Sequence, residues 1–206
     1  MRNPFLPSGQ GLLETIIALA IVTTGVVASL ALISTSIIST RLQSNESVAV
    51  QLAREGIEVV RARRDSNWLQ RDARAESVEW DAQLDGNADA TAVPLFDPAT
   101  RQWNVDFSVT DFSDPKTRVY EDNGMFRQFA GTPQGTETTF QRMLLLTEIC
   151  APVEDPQFLG IGQTCPTSFD ERKIGIRVVS RVRIEDDAIR DVVVEDHLYQ
   201  WKGVTE

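Results

Sequence analysis

The residue that asks most directly for a chemical explanation is Glu14, in the stretch Ser8-Gly9-Gln10-Gly11-Leu12-Leu13-Glu14-Thr15-Ile16-Ile17-Ala18-Leu19. A carboxylate within an apolar segment costs about 2.5–3.5 kcal/mol at the centre of a bilayer and less near an interface, so its presence points to a partner. A cut after Gly9 would expose the amine of Gln10, and Glu14, four residues later, lies on the same helical face. Ammonium and carboxylate at that spacing can neutralise each other within one molecule or between neighbours. The same residues also fit a glutamate resting at headgroup level with no partner.

The other chemically capable residues are few. Cys150 and Cys165 are the two cysteines, fifteen positions apart and separated by Pro, Gly and acidic residues. Outside the cytoplasm a disulfide closing this loop is favoured, worth about 3 kcal/mol in the loop-entropy picture; in a reducing compartment the pair reads as two buried thiols. With His197 as the one histidine, the set falls short of a structural zinc tetrad, and no metal site is expected. Glu185, Asp186, Asp187 and Asp191 form the densest acidic group but lack the alternate spacing of a calcium loop, and they read as a solvated turn. His197 has no Ser or Cys close by in sequence and reads as a surface residue near a strand end. Without a phosphate-binding glycine loop, a nucleophile elbow or a paired-His motif, the chain is read as a non-enzyme with no cofactor.

The elements that must position Glu14 follow from hydropathy. From Thr15 to Thr40, 26 residues carry no charge, about 39 Å of helix against a bilayer core of about 30 Å. The order is the reverse of a secretory signal, because the small residue Gly9 precedes the apolar run, so removal of residues 1–9 would leave the helix in place. No proline stands between Pro7 and Pro94 to stop it. Beyond Arg41, Ala49, Leu52, Ala53, Gly56, Ile57 and Val60 form one apolar stripe at helical spacing, which predicts a continuation to Trp68 or Leu69. Glu58 with Arg61, and Arg61 with Asp65, are spaced to pair on the opposite face.

Residues 76–100 read as an acidic connecting loop, with Asp85-Gly86-Asn87, Pro94 and Pro98. Alternation at Trp103, Val105, Phe107 and Val109 predicts a half-buried strand, and Asp122-Asn123-Gly124 a hairpin between Val119-Tyr120 and Met125-Phe126. Further strands are predicted at 140–149, 173–185 and 189–201, the last carrying Leu198, Tyr199 and Trp201 as packing residues. Charge divides along the same line: residues 1–75 hold eight basic and six acidic side chains, and 76–206 hold twelve and twenty-four. The acidic half has no basic footprint for nucleic acid.

Gly9, Gln10, Leu12-Leu13, Glu14 five residues after the glycine, and the long apolar helix together resemble the class III signal of type IV pilins and type II secretion pseudopilins. The resemblance implies that a prepilin peptidase cuts after Gly9 and methylates Gln10, and that Glu14 pairs with the terminal amine of an adjacent subunit during assembly. Gln10 departs from the more usual phenylalanine. Leu52-Ala53-Arg54-Glu55-Gly56-Ile57-Glu58-Val59-Val60-Arg61 with Arg64-Asp65-Ser66-Asn67-Trp68-Leu69 is similar to PilV-like minor pilins and extends the likeness over the first third of the chain.

The expected architecture is α+β, a long N-terminal helix packed on a C-terminal antiparallel sheet: leader 1–9, transmembrane or filament-core helix 10–40, amphipathic continuation 41–75, sheet domain 76–206. The resemblance implies a minor subunit of a pilus, secretion pseudopilus or DNA-uptake filament. Its partners would be other pilins or pseudopilins, prepilin peptidase, the inner-membrane assembly platform and membrane lipid. It would cross the inner membrane once with the sheet outside the cytoplasm, and become extracellular on assembly. The alternative is an uncleaved single-pass protein with an extracytoplasmic binding domain.

Overall fold

A computed structural model of the chain describes residues 10–74, 78–84, 90–152, 155–166, 172–186 and 188–201. The architecture is α+β. One long helix, α1 (Gln10–Arg74), is followed by β1 (Thr91–Asp97), β2 (Gln102–Asp106), β3 (Arg118–Asp122), β4 (Met125–Arg127), β5 (Thr136–Cys150), β6 (Gln157–Phe158), β7 (Lys173–Glu185) and β8 (Ile189–Tyr199). The chain divides into two compact units, residues 1–45 and 46–206.

In the first unit every residue from 11 to 44 is exposed, and the large apolar side chains from Leu12 to Leu42 cover the helix on all sides. A helix apolar all round belongs among lipid tails or other helices. The helix is long and apolar enough to cross a membrane. Its hydroxyls turn inward on their own backbone: Thr15 donates to the Leu12 carbonyl at 2.9 Å, Thr24 to Ala20 at 2.7 Å, Ser29 to Gly25 at 2.8 Å and Thr40 to Ser36 at 2.9 Å. These bonds remove the polar cost of Ser and Thr in an apolar setting.

In the second unit the predicted stripe is buried throughout: Ala49, Leu52, Ala53, Gly56, Ile57 and Val60 all lie against the sheet. Ile57, Val60 and Trp68 pack with Leu144, Leu146, Ile176, Val178 and Leu198, while Ala49, Leu52 and Ala53 pack with Val119, Phe140, Val182 and Ile184. Each fully buried Leu, Ile or Val is worth about 1.5–3 kcal/mol, enough to hold a helix that has little stability alone. At Gly56 the helix leaves no room for a side chain. A Cβ there would stand 2.9 Å from Leu144 Cδ2 and 3.0 Å from Ser180 Oγ.

β5 is the axis of the sheet. One edge pairs with β7 from Phe140↔Ile184 to Cys150↔Lys173, and β7 pairs with β8 from Gly175↔Tyr199 to Glu185↔Ile189. The other edge of β5 is shared: β3 joins it near Gln141 and Glu137, β1 at Leu145 and Leu144, β6 at Ile149 and Cys150. All these pairings are antiparallel, as short turns between alternating strands require.

Several boundaries differ from expectation. The stretch read as a connecting loop contains β1, whose first five residues are buried, and Trp80 and Leu84 of the same stretch join the core. Asn67 Nδ2 fastens that segment to the helix by donating to the carbonyls of Trp80 at 3.1 Å and Ala82 at 2.9 Å. The strand predicted through Val109 ends at Asp106, where Ser108 N–H folds back onto the Asp106 carboxylate at 2.8 Å. Asp65 pairs with Arg64 at 2.9 Å instead of with Arg61, which reaches Glu58 at 3.4 Å and is drawn across to Asp196 on β8. Leu198 is buried as predicted, but Trp201 lies beyond β8, exposed, its ring centroid 4.7 Å from that of Trp68 with the two rings nearly perpendicular.

Candidate functional site

Glu14 lies in the first unit on an exposed, apolar stretch of helix, and it forms no hydrogen bond or ion pair among the described residues. Its neighbours Leu12, Leu13, Ile16 and Ile17 are all exposed. The site is therefore a lone carboxylate on a continuous apolar surface. Gln10 belongs to the helix as its first described residue, its side chain lying outside the description, and Gly9 lies outside the described residues. What the arrangement can do chemically is accept a cation delivered from elsewhere, because its own helix delivers none among the described residues.

The cysteines are joined. Cys150, at the end of β5, and Cys165 form a disulfide with Cα atoms 5.6 Å apart. The Cys165 N–H donates to Glu148 at 2.6 Å, and Glu148 with Asp81 holds Lys173, at 3.2 and 2.6 Å. The bridge thus fixes the loop after β6 to a group of charges at the end of the sheet.

The acidic turn is engaged by arginines. Asp186 takes Arg190 at 2.5 Å and Asp191 takes Arg183 at 3.0 Å, while Asp187 lies outside the described residues. No three His, Cys, Asp or Glu side chains converge as a metal cluster among the described residues. His197 is on β8, half-exposed, with Nε2 3.0 Å from Glu195 and its ring 4.9 Å from that of Phe158. Arg177 forks onto the same Glu195 at 2.8 and 2.7 Å. That fork, above all, holds the Glu195 carboxyl down to about 2.

Sequence reasoning missed the most deeply placed charge. Arg142, on β5, is completely buried; it donates to Gln128 Oε1 at 2.7 Å, to the Leu52 carbonyl at 2.9 Å and to Glu55 at 2.9 Å. Burial pulls its guanidinium below the ordinary value, and Glu55 opposes that pull. Gln128, equally buried, answers with bonds to the carbonyls of Lys116, Thr117 and Arg142. An Arg at an inward position of an alternating strand was the available signal, but its partner is 87 positions away. A cavity of about 420 Å³ beside the pair is lined by Leu52, Glu55, Trp103, Met125 and Phe126.

Comparison with known proteins adds no relative: no family model, no curated protein and no solved structure matches the chain.

Proposed function

We propose that the chain is a structural subunit, a minor component, of a filament of the type IV pilus or secretion-pseudopilus kind. The observation that carries this reading is the exposed apolar helix of residues 11–44 with one carboxylate, Glu14, that has no partner among the described residues. A lone acid on an apolar helix is tolerated in lipid near the interface and becomes costly among packed helices unless a cation meets it. In the proposed subunit that cation is the amine of Gln10 on a neighbour, freed by a prepilin peptidase after Gly9. Pairing then favours the correct axial register of adjacent helices.

The chain is held in the inner membrane by this helix before assembly, and its sheet lies outside the cytoplasm. The Cys150–Cys165 disulfide supports that placement, since such bonds persist in oxidising compartments. Other pilins or pseudopilins, the peptidase and a membrane assembly platform are the partners this role requires. Glu14→Ala is expected to insert and be cut normally, and to lower incorporation into filaments at least about tenfold, equivalent to about 1.4 kcal/mol of lost pairing. Incorporation equal to the parent would remove the role assigned to Glu14.

A further inference from the structure

No packing covers residues 11–14 at the start of α1. Gln10 is the first residue of the helix, and Gly11 beside it has nothing within 4 Å of the place a side chain would take. Leu12 and Leu13 are 66 and 61 % exposed. Glu14 is exposed and forms no hydrogen bond or ion pair among the described residues. A terminus made at Gln10 therefore meets no side chain of this stretch that would crowd it or hold its charge.

The residue type at that terminus has a chemistry of its own. A terminal glutamine carries its side-chain amide at the distance that closes a five-membered ring on its own α-nitrogen. Phenylalanine, more usual there in the signals this one resembles, cannot do so. The lone pair of the neutral amine attacks Cδ; the N–Cδ bond forms, the Cδ–Nε2 bond breaks, and Nε2 leaves as ammonia with one hydrogen taken from the amine. Neither an oxidant nor a co-reactant takes part. The product is pyroglutamate, a lactam that carries no charge. An α-amine titrates close to neutrality, so in water part of the population holds the lone pair this step needs. An ammonium held in an ion pair has none and is no nucleophile.

We propose that the amine freed at Gln10 has a limited life: a chain that does not pair closes to pyroglutamate and then offers no cation to a neighbour's Glu14. This rests on the cut after Gly9 proposed above. The dipole of α1 is positive at this end, so it disfavours an ammonium there and favours the neutral lactam. The missing side chain of Gly11 leaves the ring uncrowded. Pairing with Glu14 of a neighbour keeps the nitrogen protonated and so protects it. Assembly and closure thus compete for one atom, and chains that wait in the membrane are retired. A closed chain still has its own Glu14, which accepts an amine while its terminus gives none, so it ends a run of pairs on one side. That property suits a minor subunit.

The test is the mass of the N-terminal tryptic peptide ending at Arg41, cut from the full chain taken from membranes and from sheared filaments of peptidase-positive cells. A synthetic peptide of residues 10–41, digested alongside, corrects for closure during handling. From membranes the peptide is expected to begin at residue 10 and to weigh one ammonia less than the open form, with or without a methyl group. This form is expected to grow when the solubilised chain is held at neutral pH, while filaments hold the open form. Glu14→Ala, which removes the protecting carboxylate, is expected to raise the closed share of the whole chain at least about twofold. Gln10→Phe is expected to stay open at every time. A peptide that begins at Gln10 and stays open in the membrane fraction would overturn the proposal alone and leave the filament reading in place. Filaments closed to the same extent as the membrane pool would overturn the protection by pairing. A chain that keeps Met1 would overturn the cut and the proposal together.

Discussion

Arg142 and Glu55 tie α1 to β5 through a fully buried guanidinium that also satisfies a helix carbonyl and Gln128. Removing Arg142 leaves the Leu52 carbonyl and Gln128 Oε1 dry and unanswered, while half-exposed Glu55 returns to water. Arg142→Ala is therefore expected to destabilise the sheet domain by about 2–4 kcal/mol, measured by denaturant unfolding. Glu55→Gln, which keeps an acceptor at a half-exposed position, should cost less than half as much. At Glu195 the folded pKa of about 2 lies below the ordinary 4.5. Its contribution is complete above the ordinary value and is lost as pH falls toward 2. Melting curves of the parent between pH 5 and pH 2 are expected to fall more steeply than those of Glu195→Gln. In sequence, the inward position of Arg142 was visible from Phe140, Leu144 and Leu146 around it. Glu55 was not identifiable as its partner, since a helix position carries no record of which strand it will meet.

At the level of elements, regular periodicity was legible and irregular burial was not. The stripe from Ala49 to Val60 is buried as its three-and-four spacing requires, and β7 and β8 start where alternation starts. β1 escaped because Thr91-Ala92-Val93-Pro94-Leu95 is buried at every position, so nothing alternates, and because Pro94 reads as a strand breaker. The structure accommodates that proline: pairing with β5 involves Thr91 and Ala92, and Pro94 faces Val105 of β2. Gly56 is the contact point of helix and sheet. Gly56→Ala gains about 1 kcal/mol of helix propensity, but its methyl must displace Leu144 and Ser180. The net expectation is a destabilisation of about 1–2 kcal/mol, with Gly56→Val worse, read from thermal unfolding. The loop closed by Cys150–Cys165 spans 15 positions. Replacing both with serine is expected to lower stability by about 3 kcal/mol, and to free the Cys165 amide from Glu148.

For the whole molecule, the division into an apolar unit and an acidic, sheet-bearing unit follows from composition. What composition could not supply is a reason for Glu14, whose significance rests on a partner that its own described residues do not provide. In the function proposed above that partner is a neighbour's amine, and the proposed assembly depends on that amine being made at Gln10. The most direct test is the mass of the N-terminal peptide of the chain, isolated from cells with and without prepilin peptidase. A mature chain beginning at Gln10 only when the peptidase is present is the expected result. A chain that keeps Met1 in peptidase-positive cells would contradict the account and leave a single-pass anchor carrying a sheet domain.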